Sequence, residues 1–314
     1  MENKMGLKSG SKLEKVLKAG HFAFTGELGP PRGADPEAVI RKAAYFKGTV
    51  DAVNVTDNQA AIVRMAAWAG CALLVRHGLE PNYQMVCRDR NRMAMQADIL
   101  GAHALGVRNI LCLSGDHPCR GDHPGAKGVF DIDSIQLVAM VKKMRDESLF
   151  LGGGQITGAP KMFIGAVANP FAEPLEWRVL RLAKKAAAGA DFIQTQCVYN
   201  MERFREFMHV AHDMGVTQQV HILAGIMPLK SVKMGRFIQS KVPGMDVPDA
   251  IMERLAGVAP ENVAEEGIKI ALEQIEQLRR IKGVAGVHLM AMEWEHKIPE
   301  IAERAGLLPR PQVD

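Results

Sequence analysis

The stretch that decides the fold is His21–Arg32, which reads HFAFTGELGPPR. It has the pattern of a short buried strand that runs directly into a Pro-Pro turn. Proline fixes φ and lacks an amide hydrogen, so the strand must end there. Glu27 therefore lies at the carboxyl end of a strand, which is where α/β folds place their reactive groups.

Seven more hydrophobic, β-rich runs follow this one, and helical patterns separate them. The predicted strands are 21–28, 51–57, 82–87, 109–116, 161–169, 192–198, 221–228 and 286–292. The predicted helices are 36–47, 59–77, 92–105, 133–145, 174–188, 201–213, 231–239, 248–255, 261–281 and 298–305.

Eight β/α units is the number that closes a parallel barrel. The competing fold, a doubly wound sheet, usually carries a Gly-rich first turn for a dinucleotide, and GPPRG at 29–33 does not match that turn. The sequence therefore predicts an α/β protein, a single (β/α)8 TIM barrel over residues 1–314. Residues 1–20 are expected to form an N-terminal extension, and extra helices are expected before the eighth strand.

Composition excludes several classes of function. Hydrophobic residues make up 47% of the chain and charged residues 24%, as in ordinary globular enzymes. The net charge of +4 comes without a dense basic run, so we expect no nucleic-acid partner. We also expect no signal peptide and no membrane span, because no apolar stretch reaches ~18 residues. Five cysteines with scattered spacing favour reduced thiols and a cytoplasmic protein.

Polar side chains at the predicted strand ends should meet at one end of such a barrel. They are Thr25, Glu27, Thr56, Asp57, Asn58, Gln84, Cys87, Ser114, Asp116, Asn169, Gln194, Gln196 and Glu293. Side chains alternate along a strand, so Thr25 is expected to share a face with Glu27, and Gln194 with Gln196.

Two carboxylates are the candidate reactive groups. Phe22, Phe24 and Leu28 surround Glu27 in sequence. A carboxyl group among apolar neighbours keeps its proton more readily, which a general acid requires. Asp116 could tune an electron-accepting ring or accept a hydrogen bond from a ligand. Equally, Glu27 could cap a neighbouring loop, and Asp116 could be a turn or N-cap residue.

Metal and phosphate sites are less clearly indicated. Residues 116–123 (DHPCRGDH) include metal-binding residue types, but their spacing matches no zinc pattern, so no metal is predicted. Lys184 and Lys185 end a predicted helix, where a lysine could reach a phosphate or simply remain solvated.

From about residue 21 to residue 307 the chain resembles the methylenetetrahydrofolate reductase family. The segments that carry the resemblance are 24–32 (FTGELGPPR), 53–56 (VNVT), 102–116 (AHALGVRNILCLSGD), 188–196 (AGADFIQTQ) and 225–228 (GIMP). The resemblance implies a flavin-bearing barrel that takes a hydride from NAD(P)H. The barrel then passes that hydride to 5,10-methylenetetrahydrofolate in a ping-pong reaction that yields 5-methyltetrahydrofolate.

The resemblance also implies roles for individual residues. Glu27 matches the general acid that protonates N10, and Asp116 matches a carboxylate beside flavin and pterin. Gln196 matches a folate-contacting amide, Thr56 a flavin contact and Lys185 a flavin-binding lysine. The remaining residues expected at the flavin are Gln84, Ser114, Gly115 and Asn169.

Some positions depart from the family pattern. Ser114 replaces an arginine, Gln84 a histidine, Arg178 an aspartate and Trp294 an arginine, and 169–171 reads Asn-Pro-Phe where the family has Tyr-Pro-Glu. Several of these positions serve the phosphate and adenine half of the cofactor. The resemblance implies FAD, and these departures make FMN the alternative.

This pattern resembles the divergent branch of anaerobic one-carbon metabolism, which feeds the acetyl-CoA pathway. Membership of that branch implies a zinc-containing partner subunit, an oligomer, and NAD(P)H or another electron donor. One alternative is a folate- or corrinoid-linked methyltransferase with a metal near Cys112, His117 and Cys119. Another is a flavin subunit that is active only within a larger complex.

Overall fold

The computed structural model describes residues 6–313. Within these residues eight parallel strands close into a barrel in the order of the sequence, and the last strand pairs with the first. The strands are β1 (Ala23–Leu28), β2 (Ala52–Val55), β3 (Pro81–Val86), β4 (Asn109–Leu113), β5 (Phe163–Ala168), β6 (Phe192–Cys197), β7 (His221–Ile226) and β8 (Val284–Leu289). The predicted (β/α)8 barrel is confirmed.

Helices surround this barrel. They are α1 (Lys12–Lys18), α2 (Pro36–Ala43), α3 (Ala67–Arg76), α4 (Arg92–Ala104), α5 (Ser134–Asp146), α6 (Arg178–Ala188), α7 (Met201–Asp213), α8 (Val232–Lys241), α9 (Asp249–Ala256), α10 (Val263–Arg279) and α11 (Ile298–Arg304). The extra helices predicted before the eighth strand are α9 and α10. No helix in residues 6–313 is long and apolar enough to cross a membrane.

Local signals in the sequence set the ends of several helices. Asp133 caps α5 by accepting from the backbone amides of Ile135 and Gln136, and the Gln136 side chain accepts from the Asp133 amide in return. These three hydrogen bonds satisfy groups that a helix terminus leaves unpaired. At the other end of a helix, Gly189 stops α6 at φ 114°, a left-handed conformation that glycine adopts without a steric penalty.

The helix α1 closes the amino-terminal end of the barrel. Its residues Leu13, Val16 and Leu17 are buried against the interior side chains of the lowest layer. In that layer Phe163 and Phe192 stack with ring centroids 5.2 Å apart. The sequence did not predict this helix, which lies in the proposed extension 1–20, and residues 1–5 of that extension lie outside the described residues. The open end of the barrel is thus at the carboxyl ends of the strands, which we call the mouth.

The predicted helix 59–77 begins only at Ala67. The backbone before it has left-handed φ values at Asn58, Ala60 and Ala61 (45°, 56° and 58°) and holds only a short 3₁₀ turn. Contacts from the loop after β4 hold this backbone, because Asp122 Oδ1 accepts from the Val63 amide at 3.2 Å. Tertiary contacts therefore override the helical propensity of the alanines.

The strand predicted over 109–116 ends at Leu113. Gly115 has φ 87°, and a Cβ at that position would lie 3.0 Å from Cβ of Val86. The backbone therefore leaves the sheet after Leu113 and passes close to Val86 of β3. Ser114, Gly115 and Asp116 lie exposed in a loop at the mouth. These residues remain at the carboxyl end of β4, as predicted, but the loop holds them rather than the sheet.

Candidate active site

Glu27 lies at the end of β1, and its side chain is 15% exposed. Gln84 on β3 donates through Nε2 to Glu27 Oε2 at 3.2 Å. His288 on β8 places Nε2 at 3.6 Å from the same oxygen. Side chains from β8, which is adjacent to β1, and from β3, which β2 separates from β1, thus hold the carboxyl group, and Gln84 meets Glu27 directly.

Below this carboxyl group a buried polar chain continues into the barrel. His288 Nδ1 lies 2.9 Å from the Thr25 hydroxyl, and the tautomer of the imidazole decides which of them donates. The same hydroxyl accepts from Nε2 of Gln194 at 3.1 Å. Because His288 reaches both Glu27 and Thr25, these two residues do share the interior face of β1.

This series of hydrogen-bonded side chains ends in a cluster of side-chain amides at the centre of the barrel. Asn54 donates to Gln194 Oε1 at 2.7 Å, and Gln194 donates back to Asn54 Oδ1 at 3.2 Å. Asn82 also donates to Asn54 Oδ1, at 3.0 Å. All three side chains are buried, so each bond is made in a low-dielectric interior where it fixes side-chain position strongly.

The pairing of β6 with β7 shifts register between Gln194 and Cys197. This irregularity interrupts the alternation from which Gln194 and Gln196 were expected to share a face. Burial first, and then the negative charge of Glu27, raise the pKa of the Cys197 thiol, so this thiol lies near the acid. Gln196 is half-buried, and its side-chain amide forms no hydrogen bond with another residue in 6–313.

A cavity of about 390 Å³ opens beside Glu27, between the loops that follow β1, β2, β7 and β8. Its walls combine the acid with three cations and two flexible apolar side chains, namely Glu27, Lys42, Arg64, Lys230, Met234 and Met292. Cavities of about 460 and 500 Å³ lie elsewhere on the surface, but neither includes a residue from the mouth. The site is therefore assigned by the chemistry of the side chains that line the cavity and not by the cavity volume.

Asp116 presents an unpaired carboxylate at the mouth. Its backbone carbonyl accepts from Arg88 Nη1 at 3.1 Å, but its side chain has no hydrogen bond or ion pair within residues 6–313. The nearby 3₁₀ turn Pro118–Arg120 is capped by His117 instead. The N-cap alternative for Asp116 is therefore not what the structure shows, and its carboxylate is accessible to a ligand.

Two other predicted flavin contacts hold protein partners. The Thr56 hydroxyl donates to the Gln59 side chain. Asn169 Oδ1 accepts from the Phe171 amide at 3.2 Å, and its amide nitrogen lies against Gly244. Both residues lie close to strand ends, so a ligand there would exchange these contacts for its own.

Lys185 projects inward from α6 and donates to the backbone carbonyl of Val167 on β5. Burial, followed by the positive charge of Arg181, lowers the pKa of this lysine to about 8. No carboxylate within residues 6–313 forms a salt bridge with its ammonium group. A buried amine without a counter-ion is suited to an anionic group such as a phosphate.

The residues present fit a flavin in their donor types. Asp116 offers a free acceptor, Gly115 brings backbone to the surface without a side chain, and Lys185 offers a charge for a phosphate.

The residues of this region fit a metal less well. Within residues 6–313 no group of three or more His, Cys, Asp or Glu side chains is arranged to hold a metal ion. Burial also raises the pKa of the Cys112 thiol, which disfavours the thiolate a metal requires.

His288, Asn54 and Asn82 were missed as members of the site. The sequence contains a signal for each. Asn54 and His288 are single polar residues in apolar strands, and Asn82 lies two positions before Gln84, on the same face of β3. The register shows their common direction: Glu27 pairs with Asn54, and Thr25 pairs with His288. Polar residues at inward positions within a strand therefore indicate the site as well as polar residues at strand ends do.

Fold and site together define a (β/α)8 barrel with an acidic site at its carboxyl mouth. The model of the methylenetetrahydrofolate reductase family matches residues 12–306, and the chain belongs to that family. A probable methylenetetrahydrofolate reductase (NADPH) of Caenorhabditis elegans is 24% identical over 306 residues, covering 94% of this chain and 44% of the relative. The 5,10-methylenetetrahydrofolate reductase of Pectobacterium carotovorum is 24% identical over 237 residues, covering 74% of this chain and 72% of the relative.

Methylenetetrahydrofolate reductase 2 of Schizosaccharomyces pombe is 25% identical over 74% of this chain and 37% of its own length. The chain thus spans less than half of the two eukaryotic relatives. A solved structure from Clostridium thermocellum, described as binding two copies of 5-methyl-5,6,7,8-tetrahydrofolic acid, has a TM-score of 0.63 at 14% identity. The match covers 95% of this chain and 100% of the solved chain, and it supports the barrel fold.

Proposed function

We propose that the chain is a flavin-dependent reductase that converts 5,10-methylenetetrahydrofolate to 5-methyltetrahydrofolate. The observation that carries this proposal is Glu27, a carboxyl group held by Gln84 and His288 beside an open cavity. The activity named for the family relatives supports the choice of reaction. The half-reactions alternate at one site in a ping-pong sequence.

In this proposal Glu27 gives its proton to N10 of the folate. The bond between N10 and the methylene carbon breaks, its electron pair stays on N10, and a cationic iminium remains at N5. When bound, the reduced flavin supplies the hydride that turns the iminium carbon into a methyl group. The negative charge of Asp116 stabilises the cation, and the unpaired amide of Gln196 binds the pterin.

The neighbours of Glu27 orient its carboxyl group. Gln84 donates to Oε2, and the other oxygen accepts no hydrogen bond from residues 6–313. His288 approaches from β8 and is itself fixed by Thr25. An acid held from two sides keeps the geometry that proton transfer requires, within hydrogen-bond reach of its acceptor.

The cofactor is FAD or FMN, with Thr56, Gln84, Ser114, Gly115, Asp116, Asn169 and Lys185 as its contacts. NAD(P)H or another donor reduces it. We place the reaction in the cytoplasm, in agreement with the free thiols of all five cysteines.

One observation favours the related candidate, a flavin subunit that is active only within a complex. Trp177 directly before α6, Leu180 on α6 and Val210 on α7 are large apolar side chains with exposures of 55%, 42% and 46%. Exposed apolar groups on neighbouring helices are typical of protein interfaces. A partner subunit, including a zinc-containing one, would cover them.

The test begins with the purified chain, alone and captured with its native partners. We expect a yellow protein whose cofactor, released by denaturation, co-elutes with FAD or FMN. Under anaerobic conditions, 5,10-methylenetetrahydrofolate should reoxidise the reduced protein and yield 5-methyltetrahydrofolate. A protein that takes up neither flavin would refute the proposal. Activity restricted to the captured complex would favour the second candidate.

A further inference from the structure

Arg88 follows β3 by two positions and is a buried charge to which the proposed mechanism gives no role. Its side chain is 3% exposed, and Nε and Nη2 each donate to the Asp89 carboxylate at 2.7 Å. Asp89 is 31% exposed, so this ion pair reaches from the interior to the surface of the mouth. The guanidinium keeps further donors for partners outside its own loop, because it carries five N–H groups in a fixed plane.

The loop that follows β4 is held at both of its ends by Arg88. The Arg88 amide donates to the Ser114 carbonyl at 3.1 Å, and Nη1 donates to the Asp116 carbonyl at 3.1 Å. Between these two contacts lies Gly115, where a Cβ would lie 3.2 Å from Cβ of Arg88. At the far end of the loop the Val129 amide donates to the Arg88 carbonyl at 2.7 Å. One residue thus fixes the turn that carries the carboxylate of Asp116.

The same guanidinium also holds the loop that follows β2. Nη2 donates to the Asn58 carbonyl at 3.1 Å. Asn58 has a left-handed φ of 45°, a conformation that persists in a residue other than glycine when its surroundings hold it. Asn58 follows Thr56, a proposed flavin contact, by two positions. Arg88 therefore joins the loops that follow three consecutive strands, β2, β3 and β4.

We infer that Arg88 is a positioning residue of the reaction, which sets the place of Asp116 relative to Thr56. The inference rests on the proposed function, in which Asp116 stabilises the cationic iminium. Arg88 is buried, so it acts through the backbone of these loops and not by contact with the substrate. Without it the Asp116 carboxylate would lose its fixed place, and a misplaced charge stabilises a transition state less.

The first test measures the loop itself and requires no turnover. Arg120 is exposed in the loop 114–129, where trypsin can cleave after it. In the purified chain, Arg88→Met should speed this cleavage about tenfold, as expected when a hydrogen bond from a charged group is lost and the loop opens more often. Arg88→Lys keeps a cation but not the planar fork, so its cleavage rate should lie between the two.

The matched control for both tests is Arg41→Met. It removes an exposed arginine of α2 that lies 3.7 Å from Asp35, so cleavage after Arg120 should stay at the wild-type rate. If Arg88→Met does not fold, Arg88→Met/Asp89→Asn takes its place, because this double variant leaves no unpaired carboxylate behind.

The second test determines whether Arg88 acts through Asp116. In the folate half-reaction, Arg88→Met and Asp116→Asn should each lower the maximal rate of flavin reoxidation about tenfold. When the two substitutions are combined, the second should add less than about twofold, because the carboxylate that Arg88 positions is already gone. A residue with a merely structural role would instead give losses that multiply. Arg41→Met should keep the wild-type rate.

The outcomes separate the inference from the proposed function. If Arg88→Met leaves cleavage after Arg120 unchanged, or if its loss of rate multiplies with that of Asp116→Asn, the inference is wrong while the proposed function stands. If the wild-type protein takes up no flavin, or if its reduced flavin is not reoxidised by 5,10-methylenetetrahydrofolate, both fail together.

Discussion

Asp191 at the closed end of the barrel and Glu27 at the mouth are two carboxylates with opposite surroundings. At the closed end, Asp191 pairs with Arg145 at 2.6 Å, and both side chains are 2% exposed. Asp51 there is paired with Arg310 and receives the Phe24 amide at 2.9 Å. At the mouth, Glu27 meets only a neutral amide and a histidine, without a lysine or arginine.

This difference separates stability from chemistry. A buried carboxylate that pairs with a cation and accepts from backbone amides holds strands and helices together. A carboxyl group that no lysine or arginine engages is left free for contact with a ligand. Substitutions at the closed end should therefore reduce folding stability, whereas substitutions at the mouth should reduce the reaction rate in a folded protein.

The largest effect is expected from Glu27→Gln. The amide keeps the shape and the contacts of the side chain but cannot donate a proton to N10. Reoxidation of the reduced flavin by methylenetetrahydrofolate should slow by about 10²–10⁴-fold, the contribution of a general acid. Stopped-flow measurements of both half-reactions check this, and flavin reduction by the donor should stay near the wild-type rate.

Glu293→Gln, at an exposed position of the same cavity, is the control and should leave both half-reactions near wild type. An unchanged folate half-reaction in Glu27→Gln would refute the assignment of Glu27 as the acid. Loss of both half-reactions together would instead indicate that the substitution damages the flavin site.

At the closed end, Arg145→Met should destabilise the protein by about 3 kcal/mol. Asp191 pairs with two cations, Arg145 and Lys8, and the substitution removes the buried one. Breaking a buried pair from one side carries a large desolvation cost. Denaturant unfolding measures the loss. The control Arg280→Met removes an exposed pair with Glu276 and should cost less than ~1 kcal/mol. Equal losses in the two variants would contradict the contrast between the two ends.

A smaller effect is expected from His288→Leu. Leucine removes the group that bridges Thr25 and Glu27, so the acid loses one of the two neighbours that orient it. The maximal rate of the folate half-reaction should fall about tenfold, and KM should change little. His288→Gln, which can still donate a hydrogen bond, should recover part of the rate. A change in KM alone would show that His288 acts on binding and not on the position of Glu27.

Much of the fold could be predicted from periodicity. The strand count, the helix Met201–Asp213 and the extra helices α9 and α10 follow from patterns that repeat over many residues. The helix predicted over 59–77 was wrong in its first half because Asp122, far along the chain, holds that backbone. No window of local sequence contains such a contact.

The site was predictable only where it coincided with the end of a strand. Glu27 precedes a Pro-Pro turn and could be found, as could Asp116 beside Gly115. His288 is a lone histidine inside an apolar strand, and its partner Thr25 lies 263 residues away. Their contact arises because the last strand closes against the first, so it appears only once the register is known.

The smallest effect is expected at Lys185, a largely buried charge near the mouth that lacks a counter-ion, unlike the paired charges at the closed end. Its pKa is about 8 in the folded protein, below the 10.5 of an ordinary lysine. Between these values the unfolded chain binds the extra proton, so stability should rise with pH, by about 1 kcal/mol from pH 8 to pH 9. Lys185→Met should lose this rise, whereas Lys184→Met, at the exposed neighbouring position, should keep it. Denaturant unfolding at both pH values measures the difference, and a rise that persists in Lys185→Met would show that another group titrates.

Binding of a phosphate-bearing flavin should reverse this dependence of stability on pH, because an anion favours the protonated amine of Lys185. Flavin affinity should then fall above pH 8.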